Sequence, residues 1–161
     1  MPMSINRASA APVGHMPGGG ESFSLMGMTI VCKATGQQTS GQFSLLEMTE
    51  PPGSGSPHQY NQVMSMACYV LEGTMAWKFG DETQDFGPGS FIYVPAGTAY
   101  QYTTSGDTPA KYLLLCTPGG FEEYIAEVSD WVQRQSTWPP TNMSEVAALR
   151  ARAHFYDAPA S

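Results

Sequence analysis

Turn-forming residues punctuate this chain so closely that the stretch from Phe23 to Thr117 has room only for short strands. Pro51-Pro52-Gly53, Glu72-Gly73-Thr74, Gly80-Asp81-Glu82, Gly87-Pro88-Gly89 and Pro95-Ala96-Gly97 each interrupt an apolar segment. Gly and Pro at such positions set turns rather than continue helices. Between them lie Met28 to Cys32, Phe43 to Met48, Met66 to Glu72, Phe91 to Val94, Ala99 to Thr103 and Ala110 to Thr117. Met75, Trp77 and Phe79 alternate with Ala76 and Lys78, the period of a half-buried strand. Many short strands with regular turn signals predict an all-β sandwich or barrel.

The period changes after Pro118-Gly119-Gly120. Phe121, Tyr124, Ile125, Val128, Trp131 and Val132 fall on one face of an amphipathic helix. Trp138-Pro139-Pro140 predicts an extended break. Asn142 stands three residues before Glu145, a capping-box-like start for a helix running to about Ala153. The expected organisation is a flexible arm over 1–22, a barrel over 23–118 and one or two C-terminal helices in 119–161 packed on it.

Composition narrows the function classes. The chain has 161 residues, 42% hydrophobic and 13% charged, which suits one folded domain. Seven basic residues face fourteen acidic ones, with no Lys/Arg cluster, so no nucleic-acid partner and no anionic membrane surface is expected. The apolar runs are too short for a membrane helix. One early arginine is followed by no continuous apolar segment, so no secretory leader is expected. Cys32, Cys68 and Cys116 are scattered through apolar runs, unlike a disulfide framework or a zinc site. Buried thiols in a reducing cytoplasm are the expectation. The pairs Glu122-Glu123 and Asp81-Glu82 read as solvated faces, one opening a helix where negative charge is favoured.

The spacing of Gly89, Pro95, Gly97 and Tyr100 resembles the second motif of the cupin superfamily, with Tyr100 where that motif carries a histidine. Counting back from Tyr69-Val70-Leu71-Glu72-Gly73 places Gln59 and Asn61 at the two histidine positions of the first motif. Met66, or less well Ser65, falls at its carboxylate position. The resemblance runs from about Lys33 to Val128 and is greatest to small single-domain, quercetin-dioxygenase-like cupins. It implies a jelly-roll barrel around a central site, and a homodimer. Imidazole and carboxylate hold first-row metals, whereas amide, thioether and un-ionised phenol are poor ligands for them. No metal cofactor is therefore expected, with a divalent metal as the runner-up. His58, next to Gln59, would turn inward only if the strand slipped by one residue.

The expected ligand is a small organic molecule with ring and carbonyl or hydroxyl groups. Gln59, Asn61 and Tyr100 are the candidate catalytic residues, the amides polarising a carbonyl and the phenol relaying a proton. His58, Met66, Cys68, Trp77, Phe91, Tyr93 and Tyr102 are the candidate substrate-binding residues. The resemblance implies polyketide- or flavonoid-like substrates, and the absence of metal ligands leaves cyclisation, isomerisation or dehydration. Two alternatives stand beside it: a metal-dependent quercetin-type dioxygenase with unusual ligands, and a non-catalytic small-molecule binder.

Overall fold

The computed structural model describes residues 11–137 and 139–160. The first ten residues of the expected arm, and Trp138 of the expected break, lie outside the described residues. Ten strands come first: β1 (Glu21–Leu25), β2 (Met28–Ala34), β3 (Ser44–Glu50), β4 (Gln59–Asn61), β5 (Ser65–Glu72), β6 (Thr74–Phe79), β7 (Glu82–Phe86), β8 (Phe91–Val94), β9 (Gln101–Ser105) and β10 (Ala110–Thr117). Helices α1 (Phe121–Gln133) and α2 (Met143–Arg152) and a short strand β11 (Phe155–Asp157) follow.

The strands form two antiparallel layers of a jelly roll. One has the order β1-β2-β3-β10-β5-β8 and the other β7-β6-β9. Strand β4 pairs with β11 and joins the smaller layer through the Gln59–Tyr100 bridge. Strand side chains alternate between faces, so each layer presents every second residue inward. Ser44, Leu46, Met48 and Glu50 on β3 are buried, as are Ala110, Tyr112, Leu114 and Cys116 on β10. Met66, Cys68 and Val70 on β5 continue the same face. Register aligns these sets: Met48 lies opposite Tyr112, Cys68 opposite Leu114, and Met66 opposite Cys116. Met75, Trp77 and Thr104 bury from the smaller layer.

Two glycines make the layers close. Gly73 turns β5 into β6 at φ 76°, and a Cβ there would sit 2.3 Å from the Pro109 carbonyl oxygen. Gly55 crosses β9 so tightly that a Cβ would lie 2.0 Å from the Tyr102 carbonyl oxygen. No other residue type fits either place.

The apolar stripe read from the sequence forms α1. Ile125 and Trp131 are buried, and Phe121, Tyr124, Val128 and Val132 pack on the core. Its first turn departs from expectation. Glu122 is buried rather than solvated: its carboxylate accepts from the Gly36 amide at 2.7 Å and from the Ser44 hydroxyl. Ser44 Oγ accepts in turn from the Gly120 amide at 2.8 Å, so the start of α1 is pinned to β3. Asp81 and Glu82 are exposed. Asn142 precedes α2 but makes no side-chain cap; its Oδ1 accepts from Ser144 Oγ at 2.6 Å. Glu145 does not close a capping box, because it accepts from the Trp131 indole at 2.7 Å and so clips α2 to α1.

Strand β11 has no forerunner in the sequence pattern. The chain reverses at His154, which has φ 65°, and returns to pair Phe155, Tyr156 and Asp157 with Asn61, Tyr60 and Gln59. That return carries Phe155 over the end of the barrel.

Candidate functional site

A cavity of about 80 Å³ lies between the two layers. Its larger-sheet wall is Met48, Met66, Tyr112 and Leu114. Gln59, Trp77, Tyr100 and Tyr102 form the opposite wall. Phe121, Tyr124 and Phe155 close it from the C-terminal segment, with Tyr124 and Phe155 ring centres 5.1 Å apart.

The polar groups are arranged with definite donor and acceptor sides. Arg150 Nη2 donates to Gln59 Oε1 at 3.1 Å, and a guanidinium only donates. The other end of the amide, Nε2, therefore faces Tyr100 and donates to its hydroxyl oxygen at 2.9 Å. Tyr100 is left with its own proton, which has no acceptor among the described residues. Burial pushes the Tyr100 phenol well above its ordinary range, opposed by the Gln59 hydrogen bond. Tyr100 thus stays protonated and acts as a donor. A second donor stands beside it: the Trp77 indole N–H is buried with no hydrogen-bond partner. An unmade bond of this kind costs about 1–3 kcal/mol. Trp77 is flanked by Tyr100 at 5.6 Å and Tyr102 at 5.0 Å between ring centres.

An acceptor cluster lies behind the other side. Glu50 is fully buried at the end of β3. Its Oε1 accepts from Tyr102 at 2.6 Å and from Tyr112, and its Oε2 accepts from Ser54 at 2.8 Å. Burial first, then the neighbouring Glu50 and tyrosine oxygens, hold both phenols well above their usual range. Among the described residues no cation lies within salt-bridge distance of Glu50.

Of the residues expected from sequence, Gln59, Tyr100, Met66, Trp77 and Tyr102 come together on the cavity. Asn61 does not. Its Oδ1 accepts from the amides of Val63 and Met64 at 3.0 and 2.7 Å, and its Nδ2 donates to the Ala153 carbonyl at 2.8 Å. Its oxygen and one N–H hold backbone in place, and the side chain is not on the cavity wall. Cys68 is buried in the core and is not part of the wall. Burial pushes its thiol up to about 12. His58 is half-buried and off the wall, and its carbonyl anchors the Ala158 amide at 3.0 Å. The strand keeps the register with Gln59 inward, and Tyr60 packs on Tyr156 instead. Phe91 and Tyr93 stand on the outer face, 61% and 57% exposed, because the alternation of β8 turns Ile92 and Val94 inward.

Sequence reasoning missed Glu50, Tyr112 and the aromatic cover. For Glu50 a signal existed: it continues the Leu46, Met48 alternation and so belongs on the inner face. Phe155 had none, since its place depends on a three-residue strand.

Comparisons with known proteins agree with this architecture. Residues 46–116 match the family described as Cupin domain. That stretch of the barrel is a cupin domain. Quercetin 2,3-dioxygenase from Bacillus subtilis (strain 168) is 32% identical over 98 residues, covering 60% of this chain but only 28% of that enzyme. KdgF from a Halomonas species shares the fold at a TM-score of 0.56 and 12% identity, over 64% of this chain and 90% of that one. The polyketide cyclase RemF from Streptomyces resistomycificus matches at a TM-score of 0.50 and 24% identity, over 56% and 64% of the two chains.

The cupin metal positions do not fit a divalent transition ion in this chain. Gln59 turns its oxygen to a guanidinium, Asn61 spends its oxygen on two amides, Met66 offers a soft thioether and Tyr100 keeps its proton. Among the described residues no three His, Cys, Asp or Glu side chains converge as a metal-holding group. No helix among them is long and apolar enough to cross a membrane.

Proposed function

We propose that this protein is a metal-independent cupin enzyme that cyclises, isomerises or dehydrates a small organic carbonyl compound. The observation that carries the reading is the buried donor pair on one wall, Tyr100 O–H and the unpartnered Trp77 N–H. Two donors preorganised in a dry site favour an oxygen on which negative charge develops. Gln59 serves as a positioning residue that holds Tyr100, and Met66 and the aromatic rings supply the apolar walls. A polyketide- or flavonoid-like ring belongs to this substrate class. Drug-sized ligands occupy sites of about 300–1,000 Å³. Such a ring therefore enters by displacing the cover of Phe121, Tyr124 and Phe155. The test is conversion of polyketide-like ketones by chelator-treated protein of measured metal content; activity that disappears with the metal sinks the reading.

The 32% identity to quercetin 2,3-dioxygenase favours a second reading, metal-dependent oxygenation with unusual ligands. One transition metal per chain, with oxygen consumed on turnover, would establish it. Turnover-free binding across the same ketones would leave the barrel a non-catalytic carrier.

The assembly belongs to the same proposal. Tyr69, Leu71, Phe91 and Tyr93 stand exposed on the outer face of the larger sheet, with Tyr69 paired opposite Phe91. This apolar face suits a homodimer contact. Sedimentation should show a dimer that Phe91→Glu with Tyr93→Glu converts to monomer. The three buried free thiols suit a reducing, cytoplasmic setting.

A further inference from the structure

The geometry points to a proton-accepting relay, Tyr102 backed by Glu50, standing beside the donor pair on the same wall of the cavity, and to an enolisable hydroxy-ketone or ketone as the chemical class it acts on. The inference rests on the proposed function and deepens it by naming the base.

Tyr102 and Tyr112 both donate to Glu50 Oε1, so their protons point away from the ligand. What each phenol can offer a ligand is an oxygen lone pair. Tyr100 and Trp77 offer the opposite, a proton each. One wall therefore carries an accepting phenol next to two donors, as needed to take a proton from the carbon beside a carbonyl while holding the carbonyl oxygen. Glu50 is where the proton ends. It is fully buried, accepts three hydroxyls, and has no cation within salt-bridge distance among the described residues.

The step balances within the site. The Tyr102 oxygen takes the proton from the carbon next to the carbonyl as the Tyr102 hydroxyl proton passes to Glu50 Oε1. The electron pair of the broken C–H bond becomes the C=C bond of an enolate. Tyr100 and Trp77 donate to the enolate oxygen. In a hydroxy-ketone the proton returns from Tyr102, reloaded by Glu50, to the former carbonyl carbon. The hydroxyl proton passes to the enolate oxygen and the hydroxyl becomes the new carbonyl, which completes an isomerisation. In a β-hydroxy-ketone the enolate electron pair expels the β-hydroxyl, which leaves as water with the proton held by Glu50 and Tyr102, and completes a dehydration. No oxidant, reductant or further reactant is consumed. Tyr102 is the catalytic residue of this step, and Glu50 and Tyr112 position and discharge it.

The test uses the full chain after chelator treatment, with hydroxyacetone as the probe because it is small enough for the closed cavity. Loss of its carbon-bound protons to D₂O is followed by proton NMR. Wild type should accelerate exchange at the carbon between carbonyl and hydroxyl. Tyr102→Phe, which leaves Glu50 two donors, and Glu50→Gln should each lower the maximal rate about 100-fold or more, in line with loss of general-base catalysis. The probe concentration at half-maximal rate should stay within about twofold, which separates loss of the base from loss of the fold or the pocket. Retained exchange in a folded Tyr102→Phe protein overturns the relay while leaving the enzyme reading intact. No exchange by wild type that still converts a larger ketone also overturns it. No exchange and no conversion of any ketone overturns both.

Discussion

Tyr100 is the residue whose chemistry is set most completely by its neighbours. Arg150 orients Gln59, Gln59 occupies a lone pair of Tyr100, and the phenol proton is left for a ligand. Tyr100→Phe removes that proton while keeping the ring on Trp77. Removing one donor to a developing oxyanion costs about 10²–10³ in kcat. We expect a loss of that size with a melting temperature changed by only a few degrees, read from steady-state kinetics and calorimetry. The buried thiols and phenols make a second prediction, about pH. Burial raises Cys32 from 9.0 to about 11 and Cys68 from 9.0 to about 12. Tyr102 and Tyr112 lie well above 10.0. Above pH 9 the unfolded chain releases these protons and the native one holds them, so the native state binds more protons and stability falls with pH. The stabilising effect is complete below about pH 9 and disappears as pH rises through the folded values. Urea midpoints should be flat from pH 7 to 8.5 and drop from pH 9.5 upward; a flat profile to pH 11 would contradict the burial of these groups.

Elements were legible from the sequence in proportion to how local their cause is. The barrel strands and α1 follow from periods of two and of 3.6, which neighbouring residues alone encode. Gln59 and Tyr100 stand out through their resemblance to the cupin motif positions, and the bridge between them brings both to one wall. Asn61 was read wrongly because its partners, the Val63 and Met64 amides and the Ala153 carbonyl, gather only after the C-terminal return. Glu122 shows the same limit. A glutamate in the first turn of a helix is ordinarily a solvated charge, and here the loop after β2 folds over it. Glu122→Ala would leave the Gly36 amide and the Ser44 hydroxyl proton each without an acceptor. Losses at two buried groups suggest about 2–4 kcal/mol. A urea titration should show the midpoint lowered accordingly with the slope unchanged, and a midpoint equal to the parent's would show that α1 is not held by this clip.

At the scale of the whole molecule, the C-terminal segment decides what the barrel can admit. The cavity walls belong to the barrel, but the roof belongs to α1 and β11, which meet over the cavity through Phe121, Tyr124 and Phe155. The β11 part of that roof is held on the barrel through β4 and its flanks: three β4–β11 pairs, Asn61 to the Ala153 carbonyl, the Gln62 amide to the His154 carbonyl, the Ala158 amide to the His58 carbonyl, the Arg150–Gln59 contact and an Arg150–Asp157 ion pair at 2.7 Å. Asp157 is 76% exposed, so that ion pair holds the roof weakly. The strands beneath are joined by continuous ladders, so opening falls on the roof and not on the barrel. Phe155→Ala tests this directly. Truncating a buried phenylalanine costs about 3–5 kcal/mol, less where the space opens to an existing void. The melting temperature should therefore fall. If the roof gates entry, the variant should bind a three-ring flavonol faster than wild type in stopped-flow fluorescence, while exchange of small hydroxyacetone protons stays nearly unchanged. Equal association rates for the large ligand in both proteins would place its entrance elsewhere, and the aromatic roof would then be packing alone.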